Sequence, residues 1–313
     1  TFLNTDPPHL AELWNACFTG RGAALLRGPT LLEYFSFSKP YFDPAGLFVA
    51  AADGKPVAFA HAGFGADDAG KALRTDVGVT CLVGVHPDHR RRAVGSELLR
   101  RCEDYLRRRG AKELTAGPLA PLDPFTFGLY GGAESAGFLE SDALARPFLE
   151  KHGYRVRQSA LVYQRPLDRP VSVIDVRFPP HRQRYDVHGG LRTHLTWWQD
   201  CVLGPLEMHE YRLVDKLVGH TVARASLWEM ETFDGRSNQH AVGLVGLEVV
   251  PELRRRGLGK FLLAQLIRFL QEQFFGLVEV HTEVGNVAAA GLLRGLGFDH
   301  VDTGHSYRRE EAP

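Results

Sequence analysis

The chain has 313 residues, and its 37 Lys+Arg balance its 37 Asp+Glu, so the formal charge is zero. That length suits two domains with separate cores, and the charge balance gives no reason to expect nucleic acid or an anionic membrane as a partner. The cysteines form no closely spaced pair, which argues against a zinc ribbon or a disulfide scaffold; they are Cys17, Cys81, Cys102 and Cys201. Because no long apolar stretch or signal-like start appears, we expect a soluble, cytoplasmic protein.

Apolar periodicity in the first half predicts alternating helices and strands. Asp53-Gly54-Lys55 predicts a hairpin turn, and Gly110 is a typical helix stop. The predicted helices are Pro8–Cys17, Thr30–Phe35, Ser96–Arg109 and Asp142–His152, and the predicted strands are Leu47–Ala52, Pro56–Gly63, Val77–Val85, Glu113–Ala116 and Ala160–Gln164.

The proline-rich stretch Arg165–Pro180 predicts a linker, and the second half then repeats the scheme. We therefore expect an α/β (α+β) protein with domains at 1–167 and 168–313, each a mixed sheet flanked by helices. The predicted helices are within Leu191–Val218, at Lys260–Phe275 and from Asn286, and the predicted strands are Val222–Glu231, Val242–Val250, Leu277–Glu283 and Thr303–Arg308.

Two strand-to-helix junctions carry nearly the same sequence. Val85–Leu99 and Val249–Leu263 share, in the same order, a proline, an acid, three arginines, small residues and paired leucines, 164 positions apart. A second matched pair, Leu149–Tyr154 and Leu293–Phe298, is offset by 144 positions. The chain is therefore interpreted as one unit used twice.

The first copy is longer than the second after its short strand. Gly95 to Gly153 spans 58 positions and Gly259 to Gly297 spans 38, so the first copy carries 20 extra residues. They lie in a Gly- and aromatic-rich loop at 118–140. Long loops in compact domains are often functional, and its aromatic side chains suit a ligand role or a packing role equally; they are Phe125, Phe127 and Tyr130.

A turn that leads from a strand into a helix presents backbone N–H groups and the positive end of the helix dipole to an anion. Glycine in such a turn lets a diphosphate approach the backbone closely. Three arginines at a helix start are unfavourable unless an anion compensates them. The alternative is a tight turn without a ligand, with solvated arginines.

Each half resembles the GNAT family of N-acetyltransferases, whose signature is Arg/Gln-x-x-Gly-x-Gly/Ala between a strand and a helix. Arg254–Gly259 matches every position of that signature, whereas Ala93 in Arg90–Gly95 replaces the first glycine. The resemblance covers Leu47–Gln164 and Val222–Arg308. The tandem arrangement is similar to that of mycothiol synthase, although no residue ties the chain to that substrate.

The resemblance implies a mostly antiparallel sheet in each copy and acetyl-CoA as the donor. The turn is expected to hold the diphosphate, and the strand before it to pair with the pantetheine arm and to polarise the thioester with a main-chain N–H. Asn286 is expected to bond the pantetheine or, as the alternative, only to cap its helix. The implied donor-binding residues are Leu247, Val249, Arg254, Arg255, Arg256, Gly257, Leu258, Gly259, Lys260 and Asn286, with Val83, Val85, Arg90, Arg91, Arg92, Ala93, Val94, Gly95 and Ser96 in the first copy.

His281 is the candidate general base. It lies five residues before Asn286, where some family members carry a glutamate base, and imidazole titrates near neutrality. Glu279, His281 and Glu283 alternate on one strand face, so the alternative is a polar face that meets water. Glu248 is the second candidate acid–base group.

The family's usual general acid, a tyrosine on the last helix, is absent: the matching positions are Leu149 and Leu293. Either the thiolate leaves unassisted or water protonates it, or a tyrosine acts from elsewhere. Tyr163 and Tyr307 hold equivalent places on the final strands, and their alternative role is packing.

The leading hypothesis is an acetyl-CoA-dependent N-acetyltransferase acting on a primary amine of a small molecule or peptide. The second copy is expected to be catalytic and the first degenerate, in a monomer or homodimer. The alternative is a non-catalytic tandem module that binds acyl-CoA or a partner.

Overall fold

The computed structural model describes residues 2–171, 175–194, 196–204, 206–237 and 239–310. The chain forms two compact units. The first unit consists of Thr1–Ala160, His194–Pro205 and Asp302–Pro313, and the second of Leu161–Thr193 and Leu206–Val301. The boundary expected at 167/168 stays a prediction about independently folding domains.

Helices and strands are interspersed along the described chain. The helices are α1 (Pro7–Cys17), α2 (Thr30–Leu32, continued by a π-helical turn at Glu33–Phe37), α3 (Val94–Arg108), α4 (Ala145–Lys151), α5 (Phe178–Arg184), α6 (Trp197–Leu203), α7 (Glu231–Ser237), α8 (Leu258–Glu272) and α9 (Val287–Arg294). The strands are β1 (Leu47–Ala52), β2 (Lys55–Ala66), β3 (Leu73–Val85), β4 (Glu113–Ala116), β5 (Phe138–Leu139), β6 (Tyr154–Pro166), β7 (Tyr185–Leu191), β8 (Met208–Asp215), β9 (Thr221–Glu229), β10 (Ala241–Val249), β11 (Leu277–Glu283) and β12 (Asp299–Arg309).

The first unit is built on the strand order β1-β2-β3-β4-β12, with β5 also paired to β12. Only β3 and β4 run parallel in this series, and the other pairs are antiparallel. The amphipathic α3 lies against β1, β2 and β3 and buries Leu98, Cys102 and Leu106, which form a core with alanines of β2.

The second unit repeats this plan in the order β7-β8-β9-β10-β11. Its one parallel pair, β10 with β11, corresponds to β3 with β4. Phe261, Leu262 and Ile267 of α8 are buried in its core against residues of β9, β10 and β11. The predicted fold class, two similar mixed, mostly antiparallel sheets with helices, is thus confirmed.

Most predicted elements are present with small shifts at their ends, but the prediction of helices within Leu191–Val218 is partly wrong. Trp197–Leu203 is helical, whereas Met208–Asp215 is strand β8. The reason is tertiary: β8 is hydrogen-bonded on both sides, to β7 and to β9, and these ladders override its weak local signal. No helix in the described ranges is long and apolar enough to cross a membrane.

The two halves of the sequence contribute strands to both units. Strand β12, the last of the second half, joins the first unit from Asp302 onward and pairs there with β4. Strand β6 joins the second unit from Leu161 onward. The stretch predicted as a linker begins within β6, where Arg165 is buried and donates to the carbonyl of Leu296 at 2.9 Å. Residues 172–174 of that predicted linker lie outside the described ranges.

Candidate active site

The second arginine turn lies between a strand and a helix, as predicted. Strand β10 ends at Val249, a short 3-10 turn follows at Pro251–Leu253, and α8 begins at Leu258. Arg255 and Gly257 take the left-handed conformation, with φ of 64° and 83°. The main-chain amides of the turn therefore lie outside continuous helix, at the positive end of the α8 dipole.

The first turn follows the same path from Val85 through Pro87–His89 to the start of α3 at Val94. Arg91 and Ala93 take φ of 60° and 62°, matching Arg255 and Gly257. A left-handed residue with a Cβ costs about 1–2 kcal/mol, so Ala93 is strained where Gly257 is not. A cavity of about 400 Å³ adjoins Ala93, lined by β1 and the first turns of α3.

The first arginine of each triplet stabilises its own turn. Arg254 Nε donates to the carbonyl of Val249 at 3.1 Å, and Arg90 Nε donates to that of Val85 at 3.0 Å. The other two arginines of each triplet are exposed and can reach an anion at the turn; they are Arg91, Arg92, Arg255 and Arg256.

The residues that follow each turn begin a helix. Leu258 and Gly259 are buried at the start of α8, whereas Lys260 is partly exposed. In the first turn Val94 and Gly95 are partly exposed, and Ser96 is hydrogen-bonded through Oγ to His152 Nε2 at 2.9 Å.

A gap opens beside the second turn where β10 and β11 separate. Their parallel pairing ends at Leu244 and Val280, while β10 continues along β9 through a bulge at Gly246-Leu247. The N–H of Val250 donates to β9, so alternation along the strand points the N–H of Val249 toward the gap. This is the orientation that the predicted role of Val249 requires.

In the first unit β3 and β4 separate in the same way, but side chains of the unit itself fill the gap between them. Pairing of β3 with β4 ends at Thr80 and Ala116. Beyond that point the N–H of Leu139, which faces away from β12, donates to the hydroxyl of Tyr130 at 3.2 Å. The Tyr130 ring lies 5.9 Å from that of Phe18, which packs against Gly84 of β3.

The inserted loop of the first copy is part of its core. Phe125, Phe127 and Tyr130 are all less than 8% exposed, and the Phe125 ring stacks on His61 at 4.0 Å between centroids. Of the two roles considered for these aromatic residues, packing is the one they fill.

His281 is the first residue of β11 beyond the paired segment, so it lies at the gap. Its Nε2 is 3.0 Å from Glu279 Oε1, and Gln164 Nε2 donates to Glu279 Oε2 at 2.6 Å. The side chains of His281 and Glu279 are only 4% and 2% exposed, so the alternative of a solvated polar face is wrong for both. Within the described ranges, His281 Nδ1 has no hydrogen-bond partner.

The position matching His281 in the first unit is Gly117, which follows Ala116 as His281 follows Val280. Gly117 has φ of 84°, and a Cβ there would lie 2.6 Å from the carbonyl oxygen of His305. No side chain fits at that position, so the first copy lacks a counterpart of His281.

A family model for GNAT acetyltransferases matches residues 8–130 and 173–298. The chain belongs to the GNAT family. Each of the two matched regions contains one arginine turn and one of the separating strand pairs described above. Comparison of the sequence with curated proteins gives no match.

Solved GNAT structures share the fold along the whole chain. A tandem GNAT protein from the clavulanic acid biosynthesis pathway is 16% identical with a TM-score of 0.66, and the match covers 99% of this chain and 97% of that one. A GCN5-related N-acetyltransferase from Sphaerobacter thermophilus is 17% identical with a TM-score of 0.62, covering 100% and 95%. At such identities the likeness concerns the fold.

The remaining predicted GNAT site residues have structural partners. Glu248 is 60% exposed in its side chain and accepts from Arg224 at 2.8 Å, so it faces solvent rather than the gap. Asn286 caps α9, because its Oδ1 accepts from the N–H of Ala289 at 3.1 Å.

The positions of the usual GNAT tyrosine offer no proton donor. Leu149 and Leu293 are both 2% exposed and apolar. Tyr163 and Tyr307 are each 1% exposed, and burial raises the pKa of Tyr307 to about 12. Their burial favours the packing role for both tyrosines.

Proposed function

We propose that the chain transfers an acetyl group from acetyl-CoA to a primary amine, with the second copy as the catalytic one. The observation that carries the proposal is the buried His281–Glu279 pair at the gap beside a turn with glycine at its left-handed position. The turn suits a diphosphate because Gly257 places no side chain between the ligand and the backbone, and because Arg255 and Arg256 are exposed beside it.

Bound acetyl-CoA supplies the activated acetyl thioester. His281 accepts the amine proton at Nδ1, since Nε2 is committed to Glu279, whose carboxylate stabilises the resulting imidazolium. The N–H of Val249 polarises the carbonyl that the amine nitrogen attacks. As the new C–N bond replaces the C–S bond, Leu293 has no proton to give to the departing sulfur, which leaves water as its proton donor.

The first copy serves as a structural partner in this proposal. Tyr130 occupies its gap, Gly117 stands where a base is needed, and Ala93 strains its turn. The small-molecule or peptide nature of the acceptor, the cytoplasmic location and the monomeric or homodimeric state stay predictions.

A non-catalytic module that binds acyl-CoA or a partner is the second candidate. Leu149 and Leu293, both in place of the usual acid, favour it. It predicts CoA binding without turnover on any amine.

The test is acetyl transfer from acetyl-CoA to a panel of amino acids, polyamines and peptide amines. His281→Gln should lower kcat by roughly 10²–10⁴-fold, the typical contribution of a general base. The matched control is His305→Gln, because His305 is also buried and paired to a carboxylate, Glu140, at 2.9 Å. Equal losses in both variants, or wild-type activity of His281→Gln, would rule out His281 as the base.

A further inference from the structure

An ion pair from outside the GNAT signature covers the second turn. Asp175 Oδ1 accepts from the N–H and Nε of Arg177 at 3.1 and 2.8 Å, and Oδ2 accepts from Nη2 at 2.7 Å. The Asp175 side chain is only 6% exposed. These hydrogen bonds from Arg177 hold the pKa of Asp175 below its ordinary value, so the carboxylate is charged at neutral pH.

The pair occupies the approach to the turn itself. A Cβ on Gly257 would lie 2.9 Å from the guanidinium carbon of Arg177, so the guanidinium covers the face that glycine leaves open. Lys260, in the first turn of α8, holds its Nζ 3.5 Å from Asp175 Oδ2. A carboxylate held by two cations thus lies at the positive end of a helix, where the proposed function puts the donor diphosphate.

Helix α5 keeps the pair in place. The Phe178 ring lies 5.3 Å from that of Phe261 in α8, and His181 Nε2 lies 3.0 Å from the carbonyl oxygen of Arg256. This packing anchors the segment just beyond Arg177 on α8, while Asp175 and Arg177 precede the helix.

The first turn differs at the same positions. Ser96 takes the place of Lys260 and is hydrogen-bonded to His152, and the cavity beside Ala93 lies open. The covering pair is therefore a property of the second copy, the copy with the complete signature.

We propose that Asp175 is an internal stand-in for a donor phosphate and that Arg177 is a ligand of that phosphate. When the diphosphate binds, it displaces the Asp175 carboxylate, and Arg177 and Lys260 transfer their hydrogen bonds to phosphate oxygens. Asp175 thereby weakens donor binding and Arg177 strengthens it. This inference rests on the proposed function of the second turn.

The experiment is calorimetric titration of the full chain with CoA, and with pantetheine as a probe that lacks the diphosphate. Asp175→Asn should bind CoA about tenfold more tightly, since one charge-assisted competitor is removed. Adding Arg177→Gln in the Asp175→Asn background should weaken CoA binding about tenfold, while pantetheine binding stays constant.

Two further variants complete the design. Asp186→Asn is the matched control, because Asp186 of β7 is an aspartate paired with a different cation, Lys216, at 3.1 Å, and its replacement should leave CoA affinity unchanged. Asp175→Ser keeps an acceptor for the N–H of Arg177 without the charge, and it should reproduce the gain if Asp175→Asn fails to fold.

Each outcome decides the inference. Unchanged or weaker CoA binding in the uncharged Asp175 variants, with normal binding by the wild type, overturns the stand-in and leaves the proposed function intact. Unchanged or tighter binding on adding Arg177→Gln overturns the ligand role of Arg177. Failure of every variant and of the wild type to bind CoA overturns the inference and the proposed function together.

Discussion

Gly257 and Ala93 hold the same place in the two turns, and reciprocal substitution measures what glycine contributes there. Both residues precede the first helical residue and take a left-handed φ, 83° for Gly257 and 62° for Ala93. Gly257→Ala adds a methyl group to this conformation, and Ala93→Gly removes one. The two changes should therefore act on stability in opposite directions.

The magnitude follows from two opposing terms. A Cβ in the left-handed region costs about 1–2 kcal/mol in the folded state, whereas restricting the unfolded chain returns about 0.4–1 kcal/mol. With mid-range values, Gly257→Ala should lower the free energy of unfolding by about 0.8 kcal/mol. The new Cβ also lies 2.9 Å from the end of the Arg177 side chain, which can move aside. Ala93→Gly should raise the free energy of unfolding by a similar amount.

Differential scanning calorimetry of the two variants checks this reasoning. For units of about 150–250 residues, 1 kcal/mol corresponds to about 2–4 °C in Tm, so shifts of about 1–4 °C with opposite signs are expected. Two shifts of the same sign, or no loss in Gly257→Ala, would refute the inference that the two turns share one left-handed conformation that strains a residue with a Cβ.

Two predictions concern the first unit. Tyr130→Phe removes the acceptor of the Leu139 N–H and should lower the free energy of unfolding, measured in urea, by about 1–3 kcal/mol. Acetyl transfer should be unchanged in this variant. A large change in KM would instead place Tyr130 at a substrate. Burial raises the pKa of Asp123 from 3.8 to about 7, so this carboxyl binds more protons in the folded than in the unfolded state between those pH values, and its own contribution to stability falls as pH rises through them. The free energy of unfolding of Asp123→Asn minus that of the wild type, measured in urea from pH 4 to 8, should therefore rise with pH, and a difference that stays constant with pH would contradict the assignment to Asp123.

Local signals in the sequence were sufficient for the elements that carry them. Asp53-Gly54 joins β1 to β2 with φ of 51° and 77°, the two left-handed residues that a two-residue hairpin needs. Gly110 ends α3 with φ of 106°. The duplicated turns were recognisable because glycine, proline and arginine act there through backbone geometry and charge within a few residues.

Elements that depend on distant partners could not be predicted this way. Strand β7 is paired along its length with β8, and β8 is also paired with β9. Both strands are therefore stabilised by these hydrogen-bonded ladders rather than indicated by the periodicity of their own residues. Local sequence also could not predict that β6 contributes to the second unit and β12 to the first, because the strands that pair are far apart in the chain.

The candidate site shows the same limit. The position of His281 beside the turn followed from the family pattern, but its burial did not, because Gln164 of β6 reaches Glu279 across 115 positions of sequence. The pair Asp175 and Arg177 was missed because it precedes the region of resemblance. An acid and an arginine two residues apart are not distinctive in a sequence. Their place at the turn depends on the packing of α5 on α8, which the sequence does not reveal.

The proposed function depends on main-chain amides of the second turn that bind the diphosphate of the acetyl donor. Its most direct test is calorimetric titration with acetyl-CoA of the wild type, Gly257→Glu and Ala93→Glu, because each variant sets a carboxylate at the face of one turn. Binding should be abolished by Gly257→Glu and largely kept in Ala93→Glu. Binding kept in Gly257→Glu and abolished in Ala93→Glu would contradict it.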